Sequence, residues 1–281
     1  MLKKALNFKL LAALFVTCHS VQIDTLDTRC CYLDSSGLYV ERDSSNVADE
    51  DRFTSDNKIY RLRREFIFDY SIIKQGKPLK FGVPSPDTFD DSYNKNWYFV
   101  PKDSTDANMV RQVSFKLGKG VNNEFQSTAY YYMKNNGGSN MKYFSMSGIV
   151  ENEMNVWMHP FRDKYFRILQ LNPFPYIKKP FKVGNEWKWN LVIGSAWADD
   201  RWCEWNGRIP TTYTYRITDR ATIDLPVGKK IECWVIEAIA QNSLGNTGLI
   251  AYYNEHFGFV KLDYINIDKS QVRMQLNSML E

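Results

Sequence analysis

The chain has 281 residues, 44% of them hydrophobic and 15% aromatic, with 36 basic side chains against 32 acidic. Lys3, Lys4 and Lys9 account for most of the +4 net charge; the rest of the chain carries 33 bases and 32 acids. A body with no basic excess gives no reason to expect a nucleic-acid partner, and a chain of this length buries enough surface to need no staples.

The first element is a leader over residues 1–20. Lys3 and Lys4 precede an apolar run from Leu10 to Val16, which ends at Thr17-Cys18-His19-Ser20. A basic start, a short apolar middle and small residues at the end have the form of an export signal. The run is far shorter than the roughly 20 apolar residues of a spanning helix. Two processing chemistries remain open. Thr17 before Cys18 suits a lipoprotein signal, with a diacylglyceryl group on Cys18, whereas Cys18-x-Ser20 suits ordinary cleavage. The expected location is therefore outside the cytoplasm, in the periplasm or at the outer membrane, with a membrane tether through lipidated Cys18 as one of two alternatives.

Residues 21–57 are polar, rich in Ser, Asp and Asn, and read as an exposed lead-in; 58–281 read as one antiparallel β domain, in an N-terminal part (58–150) and a C-terminal part (173–281). Lys58 to Tyr70 alternates with Phe66, Phe68 and Tyr70 on one face. Lys77 to Asp91, with Pro84 and Pro86, reads as loop. Asn96 to Val100, Phe125 to Met133 and Tyr143 to Val150 are the next strands, the last two joined as a hairpin through Asn135-Asn-Gly-Gly138. Asp163 to Leu171 predicts two helical turns. Pro173, Pro175 and Pro180 then predict an extended, surface-crossing connector, packed over the open face of the sheet.

The last hundred residues are the most regular. Trp187, Trp189, Leu191 and Ile193 share one face, as do Tyr213, Tyr215 and Ile217. Lys229 to Gln241 is apolar on both faces around Trp234 and predicts a central strand. Gly245-Asn-Thr-Gly248 predicts a turn into Leu249 to Asn254, Gly258 a bend or bulge, and Val260 to Ile267 and Val272 to Leu280 the final strands. Short connections imply antiparallel pairing throughout.

The order Pro180, Gly184, Trp187, Tyr215, Pro226-Val-Gly228, Cys233, Tyr252-Tyr253, Gly258, Val260-Lys261 resembles a group of exported bacterial envelope proteins similar to the lipoprotein-carrier (LolA/LolB-like) half-barrels. The resemblance spans Pro173 to Tyr264. It implies a mainly β fold, a strongly curved antiparallel sheet or half-barrel with few short helices, and a helix or loop over an apolar concavity. It also implies a role in lipid handling or envelope assembly.

Chemistry-bearing residues are sparse. His159 lies in a loop before Pro160, and His256 adjoins Glu255 in a strand-turn region; both read as packed or solvated histidines. No GxSxG, HExxH or GxxxxGK[ST] occurs, so no catalytic residue, cofactor or metal ligand is assigned. Cys30, Cys31, Cys203 and Cys233 allow three disulfide pairings among which sequence does not choose, although Cys233 itself reads as a small buried hydrophobe. Five of the eight tryptophans fall within 187–205. Trp187 and Trp189 read as core anchors, while Trp197, Trp202 and Trp205 sit in a loop with Asp199, Asp200 and Glu204. These five tryptophans are the candidate ligand-binding residues. The expected function is a non-catalytic envelope protein holding a lipid, an acyl chain or a protein partner in a curved-sheet cavity. The alternative is a carbohydrate-binding or carbohydrate-active protein using the 197–205 loop and its paired acids.

Overall fold

A computed structural model describes residues 31–33, 39–41, 57–84, 95–118, 126–138, 142–152, 154–226 and 228–281. The leader with Cys18, most of the 21–57 lead-in, and the side chains of Cys30 and Cys31 lie outside the described residues. Strands β1 (Cys31–Leu33) and β2 (Tyr39–Glu41) pair as a ribbon. The main sheet follows with β3 (Glu65–Lys74), β4 (Lys77–Gly82), β5 (Tyr98–Pro101), β6 (Val110–Gly118), β7 (Ser127–Asn135), β8 (Lys142–Glu151) and β9 (Asn155–Met158). It continues with β10 (Tyr176–Lys178), β11 (Glu186–Gly194), β12 (Arg208–Asp224), β13 (Lys230–Asn242), β14 (Gly245–Asn254), β15 (Gly258–Ile265) and β16 (Gln271–Leu280).

All the pairings are antiparallel, in the order β10-β9-β8-β7-β6-β3-β16-β15-β14-β13-β12-β11, with β4 attached to β3 and β5 to β4. Strand β3 pairs with β16 on one side and β6 on the other, so the N- and C-terminal parts share one sheet. The expected curved antiparallel architecture is what forms. Its curvature comes from ordinary strand twist and from register shifts at Val110/Gln112, Tyr131/Tyr132, Ile217/Asp219, Tyr252/Tyr253 and Leu276/Ser278, each of which bends its strand.

The strand pattern follows from alternation. In β3, Phe66, Phe68, Tyr70 and Ile72 face inward, and in β11 Trp187, Trp189, Leu191 and Ile193 do the same. The Asn135–Gly138 turn joins β7 to β8 as its sequence predicts. Several details differ from the expectations, beginning with the strand read from Lys58, which starts only at Glu65. Residues 77–82 form a strand rather than a loop, because Gln75 and Gly76, both at positive φ, reverse the chain directly after β3. Strand β6 is an addition. The turn before β14 centres on Ser243 and Leu244, and Gly245-Asn-Thr-Gly248 lies within the strand.

The curled sheet encloses a segment of its own chain. Residues 159–177 run through the interior, with a 3-10 helix at Lys164–Leu171, and all but Arg162 and Arg167 are buried. The prolines at 173 and 175 keep this stretch extended, but inside the sheet rather than across its surface. Three wall residues fix its backbone and a fourth holds one of its side chains. Tyr131 Oη donates to His159 O at 2.9 Å, Tyr215 Oη to Phe174 O at 3.1 Å, and Thr247 Oγ1 to Leu171 O at 2.6 Å. Tyr165 Oη meets Ser270 Oγ at 2.9 Å. Burial pushes the interior tyrosines Tyr70, Tyr215 and Tyr264 far above the ordinary phenol range, so they stay neutral and the interior carries no phenolate.

Residues 57–60 pack without regular structure against the end of the sheet. The Glu151 carboxylate accepts the backbone N–H groups of Lys58, Ile59 and Tyr60 at 2.9–3.2 Å. Arg64 Nη1 donates to Ile59 O at 2.9 Å, and Asn57 Nδ2 to Tyr60 O at 2.9 Å. Tyr60 Oη in turn accepts from Phe259 N–H at 3.1 Å. Gly258, at φ +72, lies so close to this hydroxyl that a Cβ would collide with it, which is why the bend predicted there takes glycine.

Candidate functional site

The two edge strands of the sheet, β10 and β11, face one another without a hydrogen-bonded ladder. Aromatic contacts hold this seam. Tyr176 of β10 packs edge-on against Trp187 of β11 with centroids 5.6 Å apart, and Trp157 of β9 against Trp189 at 5.9 Å. Trp187 stacks on Tyr215 at 5.3 Å and 4°. Trp187 and Trp189 are 7% and 6% exposed; they anchor the core, as their alternation predicts, and also form one wall of the seam.

At one end of the seam lies a cavity of about 40 Å³, bordered by His159, Arg162, Gln170, Phe174, Ile193 and Trp197. Its walls are mixed. Phe174 and Ile193 are apolar, but His159 Nδ1 and Gln170 Nε2 are buried and have no hydrogen-bond partner among the described residues. Such groups are costly unless something in the cavity bonds to them; the space is large enough for a water molecule or the polar end of a ligand. Trp197, on the 3-10 turn Ser195–Trp197, is half-buried and carries two guanidinium groups, Arg162 at 4.7 Å and Arg167 at 5.1 Å from its ring. Arg167 also donates to Ala196 O.

His159 packs between Trp157 (5.0 Å) and Phe174 (4.8 Å). Burial, and secondarily the nearby Arg162 charge, holds its pKa well below the usual imidazole value, so the native ring is neutral. The unfolded chain binds a proton near pH 6.5 that the native state refuses, and stability therefore falls as pH drops below about 6.5, by up to roughly 1.4 kcal/mol per pH unit. Asp163 opposes this at the acid end, because burial raises its pKa and lets the native state take up a proton above the unfolded carboxylate value. Urea midpoints at pH 7 and pH 5 should show the His159→Phe protein losing less stability on acidification than the parent. Equal losses in the two proteins would contradict the assignment.

The remaining loop residues do not converge on this cavity. Trp202 is 9% exposed and stacks on Trp97 at 6.3 Å and 13°, and Arg201 sits 3.9 Å over the Trp97 ring. Trp205 is half-buried against the core. The 197–205 tryptophans thus divide between the seam and a separate Trp97–Arg201–Trp202 stack, and Trp202 is a packing residue as much as a loop residue. Burial alone would raise the Asp199 pKa, but bonds from Arg201 Nε and Nη2, both 2.7 Å, hold it below the usual carboxylate range. Asp199 is thereby a fixed anion rather than a proton donor, and Asp200 and Glu204 are exposed. Cys203 and Cys233 carry free thiols; burial pushes the Cys233 thiol up to about 12, which makes it inert at neutral pH.

Sequence reasoning singles out Trp187, Trp189 and Trp197 at the seam but misses Arg162, Arg167 and Gln170. Their only sequence signal is the helical periodicity of 163–171, which says nothing of contact with a turn thirty residues later.

No family model and no curated protein matches the chain. Among solved structures it is similar to a proposed exported protein with a YmcC-like fold from Bacteroides fragilis, at 9% identity over 79% of this chain and 98% of that one, with a TM-score of 0.42. It is also similar to a proposed lipoprotein from Parabacteroides distasonis, at 9% identity over 79% of this chain and 97% of that one, with a TM-score of 0.41. A third likeness is to the hypothetical lipoprotein YmcC from Escherichia coli, at 12% identity over 80% and 91% of the two chains, with a TM-score of 0.32.

Proposed function

We propose that the protein is an exported, non-catalytic component of the cell envelope that holds the acyl chain of a lipid along the β10/β11 seam. The observation that carries this reading is the seam itself: two sheet edges meet with no ladder between them and with aromatic side chains across the gap, over an interior of apolar groups and neutral phenols. An edge contact without a ladder separates without a run of paired backbone groups to break. Phe174, Ile193 and Trp197 would then meet the chain, and Arg162 would meet an anionic headgroup at the mouth. The leader supports an extracytoplasmic address, and Cys18 supplies a position for a lipid tether of the protein itself.

Native mass spectrometry of protein purified from membranes in mild detergent tests the reading. A retained lipid mass is expected, reduced severalfold by Trp197→Ala with unchanged near-UV circular dichroism. Bare protein mass alone, or retention indifferent to the substitution, overturns it. The same spectra report the N-terminus: a diacylglyceryl mass on Cys18 supports the tether, and a chain beginning at Val21 removes it.

A further inference from the structure

In the middle of the sheet, five strands from β10 at β3 and three from β11 at β14, the outer faces of β3, β16, β15 and β14 form an open groove of about 780 Å³. Its volume lies within the roughly 300–1,000 Å³ of small-ligand sites. The β4–β5 hairpin contributes one rim, with Lys80 from β4 and Lys102 just beyond β5.

The charges in this groove are unequally matched. Lys261 pairs with Asp263 at 2.9 Å. The other three cations have no carboxylate within ion-pair distance among the described residues: Arg273 donates only to the amide of Gln271 at 3.1 Å, Lys80 donates to Arg111 O and lies 4.4 Å from the Tyr70 ring, and Lys102 is exposed. Burial lowers Lys80 to about 8, which leaves it a cation at neutral pH. The two acids are also partly free to accept. Asp69 takes one bond from Gln112 at 3.0 Å, and Asp263 Oδ1 is buried with no donor among the described residues.

We infer that this groove binds an acidic oligosaccharide. Three cations that form no ion pair among the described residues, although Asp69 partly offsets the charge of Lys80, call for an anionic ligand. Asp69 and Asp263 would repel a polyphosphate or nucleic acid at the same place, but they accept hydrogen bonds from hydroxyl groups. Beside them Gln271 Oε1 accepts from Arg273 and Gln275 Nε2 donates to Asp224 O, which leaves one amide donor and one amide acceptor for a ligand. The half-buried Tyr252 ring, with Lys261 Nζ 4.6 Å from its centroid, adds an apolar surface. Hydroxyls, a carboxylate and a C–H face in one molecule are the chemistry of a uronic-acid-containing sugar chain. The site is independent of the seam, and neither reading needs the other.

Isothermal titration of the full chain with trigalacturonate and with a hyaluronan tetrasaccharide tests this, with maltotriose, inorganic phosphate and phosphatidylglycerol vesicles as comparisons. At least one acidic oligosaccharide should bind at least tenfold more tightly than any comparison. The double variant Lys102→Ala, Arg273→Ala changes two exposed side chains; it should melt at the parental temperature and bind that sugar at least tenfold more weakly. The inference is overturned if neither acidic sugar binds, if the double variant binds as the parent does, or if phosphate or vesicles bind as tightly as the sugars.

Discussion

Glu151→Ala is expected to lower the unfolding free energy by about 4 kcal/mol. Three backbone N–H groups, those of Lys58, Ile59 and Tyr60, converge on this one carboxylate, and Ile59 and Tyr60 are 3% and 1% exposed. Each buried donor left without an acceptor costs about 1–3 kcal/mol, and alanine leaves no acceptor for any of the three. Arg64 and Asn57 satisfy the carbonyls of Ile59 and Tyr60 in the same way, so the segment depends on side chains rather than on regular secondary structure for its backbone bonds. Its release would also free Tyr60 from Phe259 N–H. Glu151→Gln keeps one carbonyl acceptor and should cost about half as much, since bonds to charged acceptors are worth roughly twice neutral ones. Urea unfolding followed by tryptophan fluorescence measures both. A loss below about 1 kcal/mol for the alanine variant would show that 57–60 is not held this way.

The second large effect is expected at Phe166, where alanine should cost about 4 kcal/mol, in the range for deleting a buried aromatic ring. Phe166 is fully buried in the 3-10 helix and touches Tyr70 at 5.1 Å, Phe81 at 5.3 Å and Phe161 at 5.8 Å. The cost depends on whether the surroundings can collapse into the space. Here the segment is bonded to the wall on both sides of the ring, through Tyr131 and His159 before it and through Thr247, Leu171, Tyr215 and Phe174 after it. The walls themselves are strands held in ladders. Little relaxation is available, so the cavity persists. Chemical denaturation of Phe166→Ala measures this, and a loss under 1.5 kcal/mol would mean that the segment is loosely seated and exchanges with solvent or ligand in the native state.

The parts of the fold that sequence conveys are those whose information is local. The β7–β8 hairpin is announced by Asn-Asn-Gly-Gly, β11 by tryptophans two residues apart, and β13 by apolar residues on both faces with a neighbour on each side. Strand β6 escapes because its register shift at Val110/Gln112 breaks the alternation before Val113, Phe115 and Leu117 restore it. Strand β4 escapes because Lys77, Pro78 and Lys80 have the composition of a loop. The burial of 159–177 was hidden for another reason. Lys164 and Gln170 look like a solvated helix face, yet both are buried because the segment lies inside the curled sheet. The seam site required two edges distant in sequence to meet, and no residue spacing encodes that.

The pairing of β3 with β16 also sets the order of events in time. Ile73 lies opposite Gln271 and Glu65 opposite Leu280, partners roughly two hundred positions apart, and ladders of such long span are slow to form because the intervening chain must first be ordered. Until β16 is available, β3 and β15 each present an unsatisfied row of amides and carbonyls, the kind of edge that recruits other chains. A nascent form that holds β3 and β15 but not yet β16 is therefore an aggregation hazard, and the addition of β16 ends it.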